Sequence, residues 1–302
     1  MTMGAARPDT IASGAAGDTR ALGWALVAPA LCCVIAFVLA PILCIGIYSF
    51  WTRLPTGAVQ FSFTLHQWRE LIGDPFYMTI LLRTLRLAAV VTLICAVVGY
   101  GPAYYITLVS PSRRALLIIL LFLPSWISYI VRSMSWLPIL GKEGLLNSLL
   151  LRSGAIGEPL PLLYNDFSIY VGLVQFLLPL MIINIYIGLQ AVDRKIVDAA
   201  RTLGATPVQT FLAVTFPLAL PGLAAGCLLT FILAMGAYIT PQILGGPGTT
   251  YYANLVFETF VSHQDWPFGA TLSLVIIFFL IAGLAGYAQL AGLSNMFREV
   301  RR

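Results

Sequence analysis

The chain has 302 residues, of which 59% are hydrophobic and only 10% charged. A soluble domain carries roughly 25% charged residues, so this composition excludes a water-soluble fold and points to helices that cross a bilayer. The formal net charge of +5 is accounted for by arginine and lysine flanking the apolar runs, which sets topology and excludes a nucleic-acid footprint.

Residues 1–21 are rich in Ala, Gly and Thr, hold no apolar run and read as a disordered tail. A first span is expected over Leu22–Phe50, too long for a signal-peptide core, and forms with its outer loop a unit over 22–78. Further spans are expected over Thr79–Val109, Ala115–Leu140, Ser168–Leu189, Gly222–Leu244 and Phe268–Leu290. The expected fold class is therefore all-α and polytopic, with about six transmembrane helices. No segment shows the alternation of an outer-membrane barrel. With the N-terminus inside, Arg113, Arg114, Arg194, Lys195 and Arg201 fall on the inner side, and Arg53, Arg69, Lys142 and Arg152 on the outer. That bias puts both termini, including the 294–302 tail, in the cytoplasm.

Polar residues within the spans are the pathway candidates. Arg83 and Arg86 share a helical face near the outer end of the second span, where snorkelling to the interface is the favoured explanation. Arg132 follows Ala115 by 17 residues, roughly 25 Å along a straight helix. With Trp126, Tyr129 and Trp136 it either lines an outer vestibule or belongs to an aromatic belt. Gln175 and Asn184 are polar groups in the fourth span. Tyr238, Thr240 and Pro241 interrupt the fifth, and broken helices are tolerated where they line a cavity. Gly222 and Gly226 form a GxxxG pair expected to pack within the chain. The spans hold no central Asp or Glu, which disfavours an ion-coupled secondary transporter. His66 and His263, in separate outer loops, supply no catalytic or metal set for a membrane enzyme.

Between the fourth and fifth spans lies DAARTLGATPVQTFLAVTFPLALPG, Asp198–Gly222. Val192, Ile196, Ala199, Ala200 and Leu203 recur at helical steps as one apolar stripe. Gly204 stands where a helix end takes a left-handed residue. Thr206-Pro207 supplies an N-cap and a first helical residue. Pro217 and Pro221 are expected to break the chain before the fifth span. The block reads as two short helices across a glycine corner, and its small side chains favour docking on a protein over lying on lipid.

This block resembles the Glu-Ala-Ala-x3-Gly-x9-Ile-x-Leu-Pro loop of the membrane subunits of ABC importers. The match is Asp198-Ala199-Ala200, Gly204 and Val214-Thr215-Phe216-Pro217, with Asp for Glu, Val for Ile and Phe for Leu. LPSWISYIVRSMSW (Leu123–Trp136), GKEGLLN (Gly141–Asn147), PLALPGLAAG (Pro217–Gly226), GAYITPQILGG (Gly236–Gly246) and DWPFGA (Asp265–Ala270) look like the spermidine/putrescine-type permeases.

The resemblance implies a type I ABC importer permease fold over 79–293, with a cytoplasmic coupling loop at 190–221, in a bacterial inner membrane. Asp198, Ala199, Ala200, Leu203, Gly204, Val214 and Pro217 would meet a cytoplasmic ATPase dimer. An extracytoplasmic solute-binding protein would deliver a small-molecule solute, and a second permease subunit would complete the pore. The solute would be a polyamine, held by aromatic faces in the absence of membrane acids, or else an opine, amino-acid derivative, phosphonate or iron chelate. The chain itself would bind no cofactor and be no enzyme, with ATP-Mg used by the partner ATPase. It has no G-x-x-x-x-G-K-[ST], and Gly245-Gly246-Pro247-Gly248-Thr249-Thr250 lacks the lysine and reads as a turn.

Overall fold

The computed structural model describes residues 27–54 and 57–290. The expected tails, 1–21 and 294–302, lie outside the described residues. In chain order, α1 (Val27–Tyr48) leads through a small antiparallel hairpin, β1 (Thr52–Arg53) and β2 (Val59–Gln60). Then come α2 (His66–Gly73) and the long α3 (Pro75–Leu108). α4 (Pro111–Phe122) tightens into a 3-10 turn at Leu123–Trp126, before the short α5 (Tyr129–Met134), α6 (Leu137–Leu140) and α7 (Leu145–Arg152). α8 (Asp166–Gln190), α9 (Arg194–Thr202), α10 (Pro207–Met235), α11 (Ile239–Leu244), α12 (Tyr252–Val261) and α13 (Trp266–Leu290) complete it. Five described helices are long and apolar enough to cross a membrane, or six if the bent pair Pro111–Trp126 and Tyr129–Arg152 is one span.

Local sequence sets the helix starts. Asp74 accepts from the Phe76 N–H at 2.9 Å, with Pro75 in the first turn of α3. Asn165 and Ser168 form a reciprocal capping box that starts α8, satisfying donors that a helix end leaves open.

The core is α3, α8 and α10. Leu87, Ala88, Val91 and Cys95 of α3 meet Leu173, Leu177, Met181 and Ile185 of α8, with Ala219 and Ala234 of α10. Lipid tails are as apolar as leucine, so close packing rather than water exclusion holds such a contact. The GxxxG pair does pack within the chain. A Cβ on Gly222 would lie 2.5 Å from Gly188 Cα, and one on Gly226 would lie 2.8 Å from Met181 Sδ. α8 and α10 thus touch backbone to backbone.

Two expectations need correction. The fifth span does not begin at Gly222 after a proline break. α10 runs unbroken from Pro207 to Met235, through a π-helical turn at Phe211–Thr215. There the Phe216 N–H reaches back to Phe211 O, and the widened turn sits just before Pro217, which has no N–H to give. The second helix of the glycine corner is therefore the start of the span itself. Nor is the third span a straight rod to Leu140. It bends by 89° between Trp126 and Tyr129, where Pro124 tightens the helix into a 3-10 turn and Ile127 is extended. Pro124 has no N–H to give to the helix before it, and with the chain extended at Ile127 the depth expected for Arg132 along a straight helix does not hold.

Candidate functional site

The bend carries α5 against α11, and there most of the pathway candidates converge. The Tyr129 hydroxyl and Thr240 Oγ1 share a hydrogen bond of 2.6 Å, and Ser133 Oγ approaches Thr240 Oγ1 at 3.4 Å. Trp136 Nε1 donates to Gln175 Oε1 of α8 at 3.2 Å. The Tyr129 ring lies 4.3 Å from that of Phe176. Arg132, only 6% exposed, places its guanidinium 4.8 Å from the same Phe176 ring. Its Nη1 donates to Pro124 O across the bend at 3.2 Å, and its Nε has no partner. No ion pair forms on Arg132 among the described residues. A buried unpaired cation is costly, and the aromatic face offsets part of that, on the order of 2 kcal/mol.

Tyr129, Arg132, Trp136, Gln175 and Thr240 thus form one group, to which Ser133 and Phe176 belong although nothing in the sequence singled them out. Phenylalanine in a long apolar run carries no signal beyond hydrophobicity. Three candidates lie elsewhere. Trp126 is 81% exposed beside the bend. Asn184 donates to Leu180 O of its own helix and packs against Gly226. Tyr238 stacks on Phe257 of α12 at 4.3 Å. The group holds hydroxyls, an amide, aromatic faces and one cation. No cluster fit to hold a metal occurs among the described residues.

Arg83 corrects a further expectation, because it does not snorkel. Its Nη2 meets Asp166 Oδ1 at 2.7 Å and its Nη1 donates to Gly248 O at 3.1 Å. The Tyr251 hydroxyl donates to the same carboxylate oxygen at 2.9 Å. Burial, with Asp166 accepting the proton, pushes the Tyr251 hydroxyl up from its ordinary range, so it stays a donor at neutral pH. Thr84 Oγ1 accepts from the Tyr252 N–H at 2.9 Å, and Ser168 Oγ donates to Leu244 O at 2.8 Å. One junction thereby fastens α3, the start of α8, the end of α11 and the glycine loop.

At the other end of α8 is the elbow. Asp193 caps α9 by accepting from the Lys195 N–H at 2.9 Å. Gly204 has φ +89°, the left-handed geometry expected of it. The Ala205 N–H closes the helix end on Ala200 O at 3.1 Å. Thr206 and Gln209 form a reciprocal capping box, with Pro207 at the start of α10. Leu203 is 89% exposed, and Ile196, Asp198 and Ala199 are exposed beside it, with Ala200 half-buried. Val214 is half-buried in the π turn and Pro217 is exposed. Asp198 also borders, with Val197 and Arg201, a cleft of about 300 Å³ against Tyr104, Leu189 and Thr215. The Phe211 ring lies 5.6 Å from Tyr100 and 5.7 Å from Tyr104 of α3, so the elbow joins the core through both α10 and α3.

Comparison with known proteins agrees along the chain. A family model described as binding-protein-dependent transport system inner membrane component matches residues 104–293. The spermidine/putrescine transport system permease protein PotB of Escherichia coli (strain K12) is 34% identical over 262 residues, covering 87% of this chain and 95% of the relative. The putrescine transport system permease protein PotI of the same organism is 26% identical, covering 88% and 91%. The crystal structure of a bacterial ABC transporter involved in the import of the acidic polysaccharide alginate superposes with a TM-score of 0.68 at 16% identity, covering 94% of this chain and 98% of that one. At that identity the likeness speaks for the fold.

Proposed function

The chain belongs to the family of binding-protein-dependent transport system inner membrane components, and from that membership we infer that it forms half of the pore of an ATP-driven importer of polyamines of the spermidine or putrescine type. The solute class comes from the curated relatives, whose likeness runs along most of the chain. The observation that carries the coupling is the elbow: a bare Leu203 face on a helix corner that continues without a break into a core helix.

In this reading the elbow and both termini are cytoplasmic, and the junction faces the solute-binding protein. An ATPase dimer, using ATP-Mg that this chain does not hold, grips Ile196, Ala199, Ala200 and Leu203 around Gly204. Asp198 stands on the side of α9 nearer its own spans and pairs with the ATPase only at the rim of that grip. When the ATPase closes, α10 moves as a lever, because it runs as one helix from Pro207 to Met235. A rigid shift of that kind is a common way to convert a distant event into opening. The Tyr129–Thr240 contact between α5 and α11 parts, and the solute passes between this chain and a second permease subunit.

The test is uptake of radiolabelled spermidine into proteoliposomes holding this chain with its ATPase, second permease and binding protein. Uptake is expected only with internal ATP and all four components, and native mass spectrometry is expected to give two permease and two ATPase chains. Uptake by this chain alone, or without nucleotide, would overturn the coupling. ATP-driven uptake of another solute but not of polyamines would overturn the solute class.

A further inference from the structure

We propose that a second membrane subunit sets a carboxylate against Arg132 at the break that follows α4. Residues 123–128 are all exposed, and they are the irregular part of the span, a 3-10 turn followed by extended backbone at Ile127. Ser128, which starts α5, makes no side-chain cap to the N–H groups of that helix. α4 has 12 residues before the break, about 18 Å of helix in a hydrocarbon layer of about 30 Å. Irregular backbone at such depth is tolerated against protein or water and not against lipid tails. The break therefore faces a partner or the pathway, and its exposed Trp126 and Ile127 favour a protein surface over water.

Arg132 gives that partner its chemistry. The residue is only 6% exposed. Its Nη1 is spent on Pro124 O, in the break itself, while Nη2 reaches the surface with no acceptor among the described residues. An ionised residue inside a membrane is costly and calls for a counter-charge. The neighbouring elements have none to give. α4, α5, α10 and α11 hold no Asp or Glu, and α8 holds only Asp166, which is taken up by Arg83 and Tyr251. The Phe176 ring attracts the guanidinium through its face and offers no lone pair to the open N–H groups. A carboxylate presents two acceptors that match the planar fork of the guanidinium. A lipid tail has no acceptor, and a polyamine is itself a cation that Arg132 repels. That a second permease subunit stands there rests on the function inferred above; the unmet cation does not.

The test uses the whole purified transporter and follows dissociation of the two permease subunits on dilution. Arg132→Met keeps the length of the side chain and removes its charge. It is expected to raise the dissociation constant of the pair about 100-fold, because the carboxylate is left buried and alone. Each Asp and Glu in the spans of the second subunit is then changed in turn to Asn or Gln. One of these changes is expected to bring Arg132→Met back to within about threefold of the unsubstituted pair. The same change opposite an intact Arg132 is expected to weaken the pair as Arg132→Met does, so the contact is tested even where Arg132→Met does not assemble. Arg152→Met, at an exposed arginine of α7, leaves the pair unchanged. An unaltered dissociation constant in Arg132→Met overturns the proposal. So does a weakened pair that no neutralised acid restores, because the cation would then serve only its own chain or a lipid phosphate. The same preparations are assayed for ATP-driven spermidine uptake. Uptake by the unsubstituted transporter, with no loss of pairing in Arg132→Met, sinks the ion pair alone. Restored pairing in a transporter that moves another solute keeps the ion pair and sinks the polyamine assignment.

Discussion

Where α8 begins, Asp166 draws Arg83 and Tyr251 onto one carboxylate, and the glycine loop gives its Gly248 carbonyl to the same arginine. Where α8 ends, the chain turns into α9 and leaves Leu203 with almost nothing against it. The first region spends its polar groups on itself and ties four elements together. Among the described residues, the second makes its hydrogen bonds along its own backbone, at its own caps and from Thr202 Oγ1 to Asp198 O. A region satisfied internally behaves as a fixed pivot. A region with an ordered backbone and a bare apolar face is shaped for something outside the chain, since an exposed leucine side chain forgoes about 1.5–3 kcal/mol that burial would supply.

The comparison supposes a stiff core joining the two ends, and the largest effect is expected there. Gly222→Leu would drive a side chain into Gly188 Cα and Asn184 O, which stand 2.5 and 2.7 Å from where its Cβ would lie. Overpacking of this kind costs ~3 kcal/mol or more. A thermal melt of the purified transporter is expected to drop by several degrees, and an unchanged melt would mean that α8 and α10 slide freely.

Next comes the junction. Asp166→Ala leaves Arg83 and the Tyr251 hydroxyl without their shared acceptor. Breaking a fully buried pair costs roughly 3–5 kcal/mol. Both partners here are about a third exposed, so solvent screening reduces the expected loss to ~2 kcal/mol. Because the two residues share one interaction, Arg83→Ala combined with Asp166→Ala is expected to cost less than the sum of the single changes. Simple additivity in that double-mutant cycle would show that the pivot is held by packing and not by the ion pair.

Leu203→Asp separates the two regions most directly. The side chain is exposed, so stability is expected to stay within about 0.5 kcal/mol. ATP-driven uptake is expected to fall about tenfold or more, equivalent to ~1.4 kcal/mol of coupling, and the ATPase to separate from the complex on gel filtration. A destabilised protein with normal uptake would reverse the assignment, making the elbow a structural corner.

The elbow was the more legible of the two regions because its signals are local. Gly204, Thr206-Pro207 and the stripe through Leu203 each state a backbone geometry within a few residues, and the geometry is there. The junction was illegible because its partners are distant in sequence: Arg83 and Asp166 are 83 positions apart, and arginines near a span end read as snorkelling. The course of α10 runs against the break that Pro217 and Pro221 suggest: a π turn precedes Pro217, while Pro221 lies inside the helix as Pro102 and Pro179 do in α3 and α8, and hydrophobicity records neither. For the same reason the 89° turn after Trp126 was hidden, although the Pro124 that accompanies it was in plain view. Periodicity shows that a segment is apolar, not the direction in which it runs.

The smallest expected effect is also the sharpest probe of what the elbow is for. Gly204 has φ +89° and no atom within 4 Å of where a Cβ would stand. Gly204→Ala therefore meets no obstacle and suffers only backbone strain, about 1 kcal/mol for an L-residue in the left-handed region. Gly204→Asn, which tolerates that region, is expected to cost less. Amide hydrogen exchange at Leu203 and Ala205 would read both. Gly204→Trp is expected to strain this chain about as much as Gly204→Ala, because both place the same Cβ where no atom lies within 4 Å. Any loss of uptake in the tryptophan variant beyond that in the alanine variant must then arise from a surface that this chain does not contain. Equal uptake in the two would leave the space around Gly204 empty in the working transporter, and the elbow with no partner to hold.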